Sequence, residues 1–184
     1  TEIQNLPLFG YGIKGFTLSL IETAMRISQY RVSARQIEQI IQIGKSMLQY
    51  PVELLPEVET TLNRLTPHYR LILATKGDLL DQERKLQRSG ISHFFHHIEV
   101  MSEKNAAAYQ HLLAHLDVQP HEFAMVGNSL KSDILPTLEI GAIAFHVPYH
   151  VDWVHERVES FSAPEGRCFT CQHIGEVADH LHVA

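Results

Sequence analysis

Cysteine is scarce in this sequence, with two residues among 184, which excludes a fold stapled by several disulfides and fits a reducing compartment. No apolar run approaches the about 18 residues that a membrane-spanning helix requires, and no signal-peptide pattern opens the chain. A cytoplasmic location with no membrane partner is therefore expected. A basic excess is missing as well: 15 Lys and Arg stand against 21 Asp and Glu, a formal net charge of −6. That balance excludes a broad electropositive surface for nucleic acid. Internal repeats, low-complexity tracts and long charge runs are also absent. What is present suffices for a core: 45% of residues are hydrophobic and 20% charged, which argues against disorder. The length suits one domain, or a small core with a sub-domain attached. The chain opens on Thr1 rather than methionine, and the expectation is that the full protein has an N-terminal segment that this chain lacks.

Histidine is over-represented, at 13 residues. His93, His96 and His97 cluster, and His111 and His115 stand four apart, a spacing that can hold zinc on a helix. The stretch HLLAH lacks the glutamate of a zinc-protease HExxH and has no evident third ligand, so these are read as surface histidines. Cys168-Phe169-Thr170-Cys171 is a single CxxC with His173 close by. On a strand its two thiols face opposite ways, which disfavours a shared zinc or a disulfide, and it is read as structural.

The first fifty residues carry helical periodicity. Phe16, Leu20, Ile21, Ala24 and Ile27 form one stripe, and Ile37, Ile40, Ile41, Gly44 and Leu48 another. The second stripe opens at Ser33-Ala34-Arg35-Gln36, a capping box. An antiparallel helical hairpin is expected, turning around Tyr30 to Val32, its Ile stripe serving as core or as a homodimer contact. Pro51 and Pro56 then break the pattern. Beyond them the spacing predicts a helix over 57–65, a strand over 70–74 and a helix over 78–88 capped by Asp78. It then predicts a strand over 97–101, a helix over 105–116, a strand over 123–126 and a helix over 130–139. A strand over 142–147, an edge strand over 168–171 and a terminal helix over 175–181 complete the reading. Short strands alternating with helices indicate βαβ units and a parallel sheet, an α/β fold.

In such sheets ligands bind beyond the carboxyl ends of the strands, and three polar clusters lie there. Thr75-Lys76-Gly77 offers a hydroxyl and free backbone N–H groups suited to a phosphate oxygen. Lys104 sits before a helix N-terminus, where a lysine is electrostatically unfavourable unless it meets an anion. Gly127-Asn128-Ser129-Leu130-Lys131-Ser132-Asp133 presents Asn128 and Asp133, oxygen donors of the kind Mg²⁺ accepts. Each has a plain alternative: a strand-end turn, a solvated lysine, and a capped turn. Trp153, His155 and Glu156, after the last long strand, are read mainly as packing at the mouth of the site.

Taken together, Leu71 to Asp78, Lys104 and Met125 to Ile134 resemble the haloacid dehalogenase-like hydrolase superfamily. Glu53 to Val58 looks like that family's junction between cap and core, and Tyr11 to Phe16 with the helices after it resembles its helical cap. The resemblance implies a Rossmann-like parallel-sheet core over 54–184, lacking its first strand, and a small helical cap over 1–53, lacking its front. It implies a phosphate contact for Thr75, aided by the Lys76 backbone. It further implies charge stabilisation by Lys104 and a Mg²⁺ site at Asp133 and Asn128. The expected activity is Mg²⁺-dependent hydrolysis of a small-molecule phosphate ester through an aspartyl-phosphate.

Two departures stand out. Asn128 replaces the family's usual aspartate, which removes one negative charge. The nucleophile motif, two aspartates separated by one residue, is absent: Asp78, Asp81, Asp117, Asp133, Asp152 and Asp179 include no such pair. The nucleophile is therefore expected upstream of this chain, and the 184 residues alone are expected to be inactive. The competing readings are a metal-independent dehalogenase-type hydrolase and a non-catalytic binding protein.

Overall fold

A computed structural model describes residues 1–151 and 153–181. Asp152 and the end of the region assigned to the core lie outside the described residues. Helix α1 (Glu2–Phe9) ends at Gly10, whose φ of 69° a side chain would resist. It precedes the expected hairpin of α2 (Ile13–Ile27) and α3 (Ala34–Gln49). The capping box forms: the Ser33 hydroxyl accepts the Gln36 N–H, and the Gln36 side chain accepts the Ser33 N–H at 2.9 Å. Much of the expected stripe, including Leu20, Ile21, Ile37, Ile40 and Leu48, is half-buried. The fully buried positions of the two helices are small: Gly44 lies against Thr17, and Gly15 and Ser19 face α1. A Cβ on Gly44 would overlap the Thr17 hydroxyl. Ile27 and Ile41, both placed in the apolar stripes, are 78% and 37% exposed.

The remainder alternates as the sequence predicts: α4 (Val58–Leu65), β1 (Ile72–Lys76), α5 (Leu79–Ser89), β2 (His97–Met101) and α6 (Ala106–Leu116), then β3 (Ala124–Gly127), α7 (Leu135–Glu139), β4 (Ile143–His146), β5 (Cys168–Thr170) and α8 (Gly175–His180). Asp78 and Asn105 cap α5 and α6 through their carboxyl and amide oxygens. The strand expected over 70–74 begins and ends two residues later. Its partner sets the limits, because β1 pairs with β2 from Ile72↔His97 to Lys76↔Met101. The helix expected over 130–139 is interrupted. Residues Leu130–Ile134 form a π-helical turn, and the Ser129 carbonyl accepts both Asp133 N–H (2.8 Å) and Ile134 N–H (3.2 Å). Pro136 has no N–H to return to the Ser132 carbonyl. The buried Tyr109 hydroxyl donates to that carbonyl instead, at 3.0 Å.

All strand pairs are parallel and fall into two sheets, β1-β2 and β3-β4-β5. Helix α6 bridges the sheets: Tyr109 and Leu112 pack with Met101 of β2 and Met125 of β3, and Ala74 of β1 joins the cluster. A second cluster of Phe145, Cys171 and Val177 fixes β4 to the C-terminal helix. The fold is thus α/β with a Rossmann-like parallel core and a helical cap, and the strand carboxyl ends converge on one edge. No helix among the described residues is long and apolar enough to cross a membrane.

Candidate active site

Four loops deliver polar side chains to that edge. Lys76 ends β1, Lys104 follows β2, Asn128 to Asp133 follow β3, and Glu156 lies in a short 3₁₀ turn (Val154–Glu156) after β4. They line an open cavity of about 780 Å³, which Tyr11 closes from the cap side. Of the residues selected from sequence, Lys76, Lys104, Asn128 and Asp133 meet here. Thr75 does not line this cavity; its hydroxyl donates to the Gln82 carbonyl oxygen at 3.1 Å.

Asp133 is 5% exposed and doubly held. Its Oδ1 accepts Lys104 Nζ at 2.7 Å, and its Oδ2 accepts the Ser129 N–H at 3.0 Å. The tight turn that allows this needs glycine at 127, because a Cβ there would lie 2.6 Å from the Asp133 Cβ and overlap its carboxylate. The requirement is one of space, since no Cβ can share that volume. Asn128 lines the cavity beside Asp133, and its carbonyl lies 3.2 Å from His146 Nε2.

A second network centres on Glu156, which from sequence is read as packing. Glu156 Oε1 accepts Lys76 Nζ at 2.7 Å, with both side chains only 14% exposed. Glu156 Oε2 accepts the Ser129 hydroxyl at 2.6 Å and also the Ser132 hydroxyl. Ser132 Oγ in turn accepts Lys76 Nζ at 2.8 Å. Burial works against the ionised Glu156, but the donors Lys76, Ser129 and Ser132 outweigh it and hold the carboxyl down at about 2. The available signal was position: Glu156, like Lys104, follows a parallel strand at its carboxyl end.

The cap contributes Tyr11 and Lys14. Lys14 Nζ reaches both carboxylate oxygens of Asp78, at 2.9 and 2.8 Å, and this bond holds the Asp78 carboxyl below its usual range. The Lys76 ammonium lies 4.2 Å from the centroid of the Tyr11 ring. The Tyr11 hydroxyl donates to Glu103 at 3.4 Å, and its ring meets Trp153 edge-on at 6.1 Å. Burial, reinforced by Glu103, pushes the Tyr11 phenol up to about 12.

Among the described residues no three His, Cys, Asp or Glu side chains gather as metal ligands. Asp133 and Asn128 offer one carboxylate and one amide oxygen, and each Asp133 oxygen keeps a lone pair beyond its hydrogen bond. Mg²⁺ binds through one or two carboxylates and completes its shell with water and substrate phosphate, so this donor set fits it. Both cysteines are free, Cys171 is fully buried, and burial pushes both thiols up.

A helical cap over a parallel α/β core, with lysines and oxygen donors gathered at the strand carboxyl ends, defines a capped α/β protein of the hydrolase type. Residues 10–140 match the haloacid dehalogenase-like hydrolase family, and the chain belongs to it. A haloacid dehalogenase-like family hydrolase from Xanthomonas campestris has a solved structure that is 38% identical in sequence. It superimposes with a TM-score of 0.87, over 98% of this chain and 72% of that one. A predicted phosphoglycolate phosphatase from Haemophilus somnus shares the fold at 15% identity, TM-score 0.66, over 94% of this chain and 78% of its own. Glyceraldehyde 3-phosphate phosphatase of Methanothermobacter thermautotrophicus is 35% identical over 98 residues, which are 50% of this chain and 43% of that protein. N-acylneuraminate-9-phosphatase of Rattus norvegicus is 31% identical over 90 residues, 46% of this chain and 36% of that protein. The match to these two phosphatases thus spans less than half of their length.

Proposed function

We propose that the protein is a Mg²⁺-dependent phosphatase of small phosphorylated metabolites. The present chain would supply the groups that hold phosphate and metal, and the attacking aspartate would come from sequence outside these 184 residues. The observation that carries this reading is the buried Lys104–Asp133 pair, 2.7 Å apart, facing Lys76 across one cavity at the strand carboxyl ends. The names of the relatives, which are phosphatases of a triose phosphate and of a sugar-acid phosphate, support the same substrate class.

Phosphoryl transfer needs its help at the equatorial oxygens, where charge is spread in the transition state. Lys104 and Lys76 are the lysines of the cavity and would bind those oxygens. Asp133 holds Lys104 in place and, with Asn128, would hold Mg²⁺. The bound ion would polarise the phosphoryl group as a Lewis acid. Thr75 Oγ would exchange its Gln82 partner for a phosphate oxygen. Asp133 is a poor candidate for the attacking group, since its two oxygens are committed to Lys104 and to the Ser129 amide. A carboxylate attacking phosphorus would divide one displacement into two easier ones. Among the described residues β1 pairs only with β2, and β3 only with β4. Both strands pack on α6, and a strand bearing the nucleophile would lie between their free edges.

The test is hydrolysis of p-nitrophenyl phosphate or acetyl phosphate by the full-length protein, with and without Mg²⁺. Turnover is expected only with the metal, and Asp133→Ala should remove most of it. Full activity in that variant, or in metal-free buffer, would refute the metal assignment. The 184-residue chain alone should show no turnover.

A further inference from the structure

Tyr11 is the point at which the cap meets the site, and nothing in the proposed reaction yet uses it. It stands just before α2, yet it touches a group from each of three core loops: Lys76 at the end of β1, Glu103 after β2 and Trp153 after β4. It also lines a second cavity of about 360 Å³ between α1 and α2, so that Tyr11 and Trp153 form the wall between the two spaces. The ammonium of Lys76 is surrounded on three sides, by Glu156 Oε1 at 2.7 Å, Ser132 Oγ at 2.8 Å and the Tyr11 ring face. The two oxygens fix the core side of that cation. Among the described residues only the ring fixes its cap side.

We propose that Tyr11 is a positioning residue: its ring face sets Lys76 for phosphate binding and, with Trp153, walls the cavity on the cap side. The inference rests on the phosphatase reading above and names a residue through which the cap acts on that site. The physical basis is attraction between a cation and the negative face of the ring, which strengthens as water is excluded. With Lys76 only 14% exposed, the pair is largely desolvated. The ring, rather than the hydroxyl, carries the effect, because the hydroxyl's bond to Glu103 is long.

The experiment uses full-length protein with p-nitrophenyl phosphate, comparing wild type, Tyr11→Phe, Tyr11→Leu, Lys76→Met and the Leu/Met double variant. Tyr11→Phe keeps the ring and should stay within about twofold of wild type. Tyr11→Leu should raise KM by about two- to thirtyfold, the range set by a cation–ring contact of this kind, with a smaller change in kcat. In the Lys76→Met background the leucine should add almost nothing, because a residue acting through Lys76 has nothing left to act on. A merely structural Tyr11 would instead give effects that add. Trp153 is the sole tryptophan and lies against Tyr11, so its emission supplies a second readout. Orthophosphate should change that emission in wild type and Tyr11→Phe at lower concentration than in Tyr11→Leu. Turnover and phosphate response left unchanged by Tyr11→Leu, or additive effects in the double variant, would overturn this role alone. Absence of turnover in wild type with Mg²⁺ would overturn the phosphatase reading, and this role with it.

Discussion

At the scale of single residues the site depends on space as much as on charge. Gly127 has an ordinary backbone conformation, yet a Cβ there would meet the Asp133 carboxylate. Asp133 is boxed in by Lys104, the Ser129 amide and the turn itself, so it cannot swing away as an exposed side chain would. Gly127→Ala should therefore lower activity by tenfold or more and also lower the melting temperature, which kinetics and thermal denaturation of one preparation would show. Glu156 leads to a pH prediction. Its folded carboxyl titrates near 2, against an ordinary value of 4.5. A depressed folded value means that its contribution is fully present above about pH 4.5. It is lost as the pH falls toward 2, where the folded group takes up its proton. The stability difference between wild type and Glu156→Gln should shrink across that window, as measured by denaturant unfolding at stepped pH. A difference that stayed constant with pH would contradict the assignment.

At the scale of elements, the π-helical turn after β3 shows how one missing N–H propagates. Pro136 leaves the Ser132 carbonyl without its helical partner, and Tyr109, fully buried on α6, supplies a hydroxyl from 23 residues away. The same turn places Ser129, Ser132 and Asp133 toward the cavity. Tyr109→Phe should cost about 1–3 kcal/mol, the usual penalty for a buried acceptor left unmade, read as a shift in urea midpoint at constant m. The sequence predicted a continuous helix here because apolar spacing runs through both segments. It carries no term for a carbonyl that finds a partner from another helix. The Ser33 capping box was legible because both of its hydrogen bonds are local. The hairpin contact was legible only in part: the apolar stripes marked the helical faces, but not that Gly44 would meet Thr17, nor that Gly15 and Ser19 of α2 would face α1.

At the scale of the whole molecule, the two parallel sheets share one helix and leave β1 and β3 each paired on one side among the described residues. If the strand carrying the nucleophile lies between them, the full-length protein should protect backbone amides of β1 and β3 against hydrogen exchange far more than the 184-residue chain does. Amides on the paired sides, toward β2 and β4, should change less. Equal protection in both proteins would remove that strand from the slot. The proposed phosphatase activity is likewise a prediction for the full-length protein, since the Asp133 and Glu156 carboxylates of the cavity are committed to lysine, serine and amide donors.

The sequence by itself determined what is local or periodic: the alternation of strands and helices, the caps at Ser33 and Asp78, and the placement of Lys76, Lys104, Asn128 and Asp133 at strand carboxyl ends. Those features depend on residues a few positions apart, or on the rule that parallel strands present their carboxyl ends to one edge. Only the tertiary structure decided which of them meet. It joined Lys104 to Asp133 across 29 residues and Lys76 to Glu156 across 80. It turned the Thr75 hydroxyl to Gln82 and set Tyr11 of the cap over Lys76. Contacts of that range arise from how α6 and the cap pack against the strands, and spacing along the chain does not encode packing between elements that are distant in it.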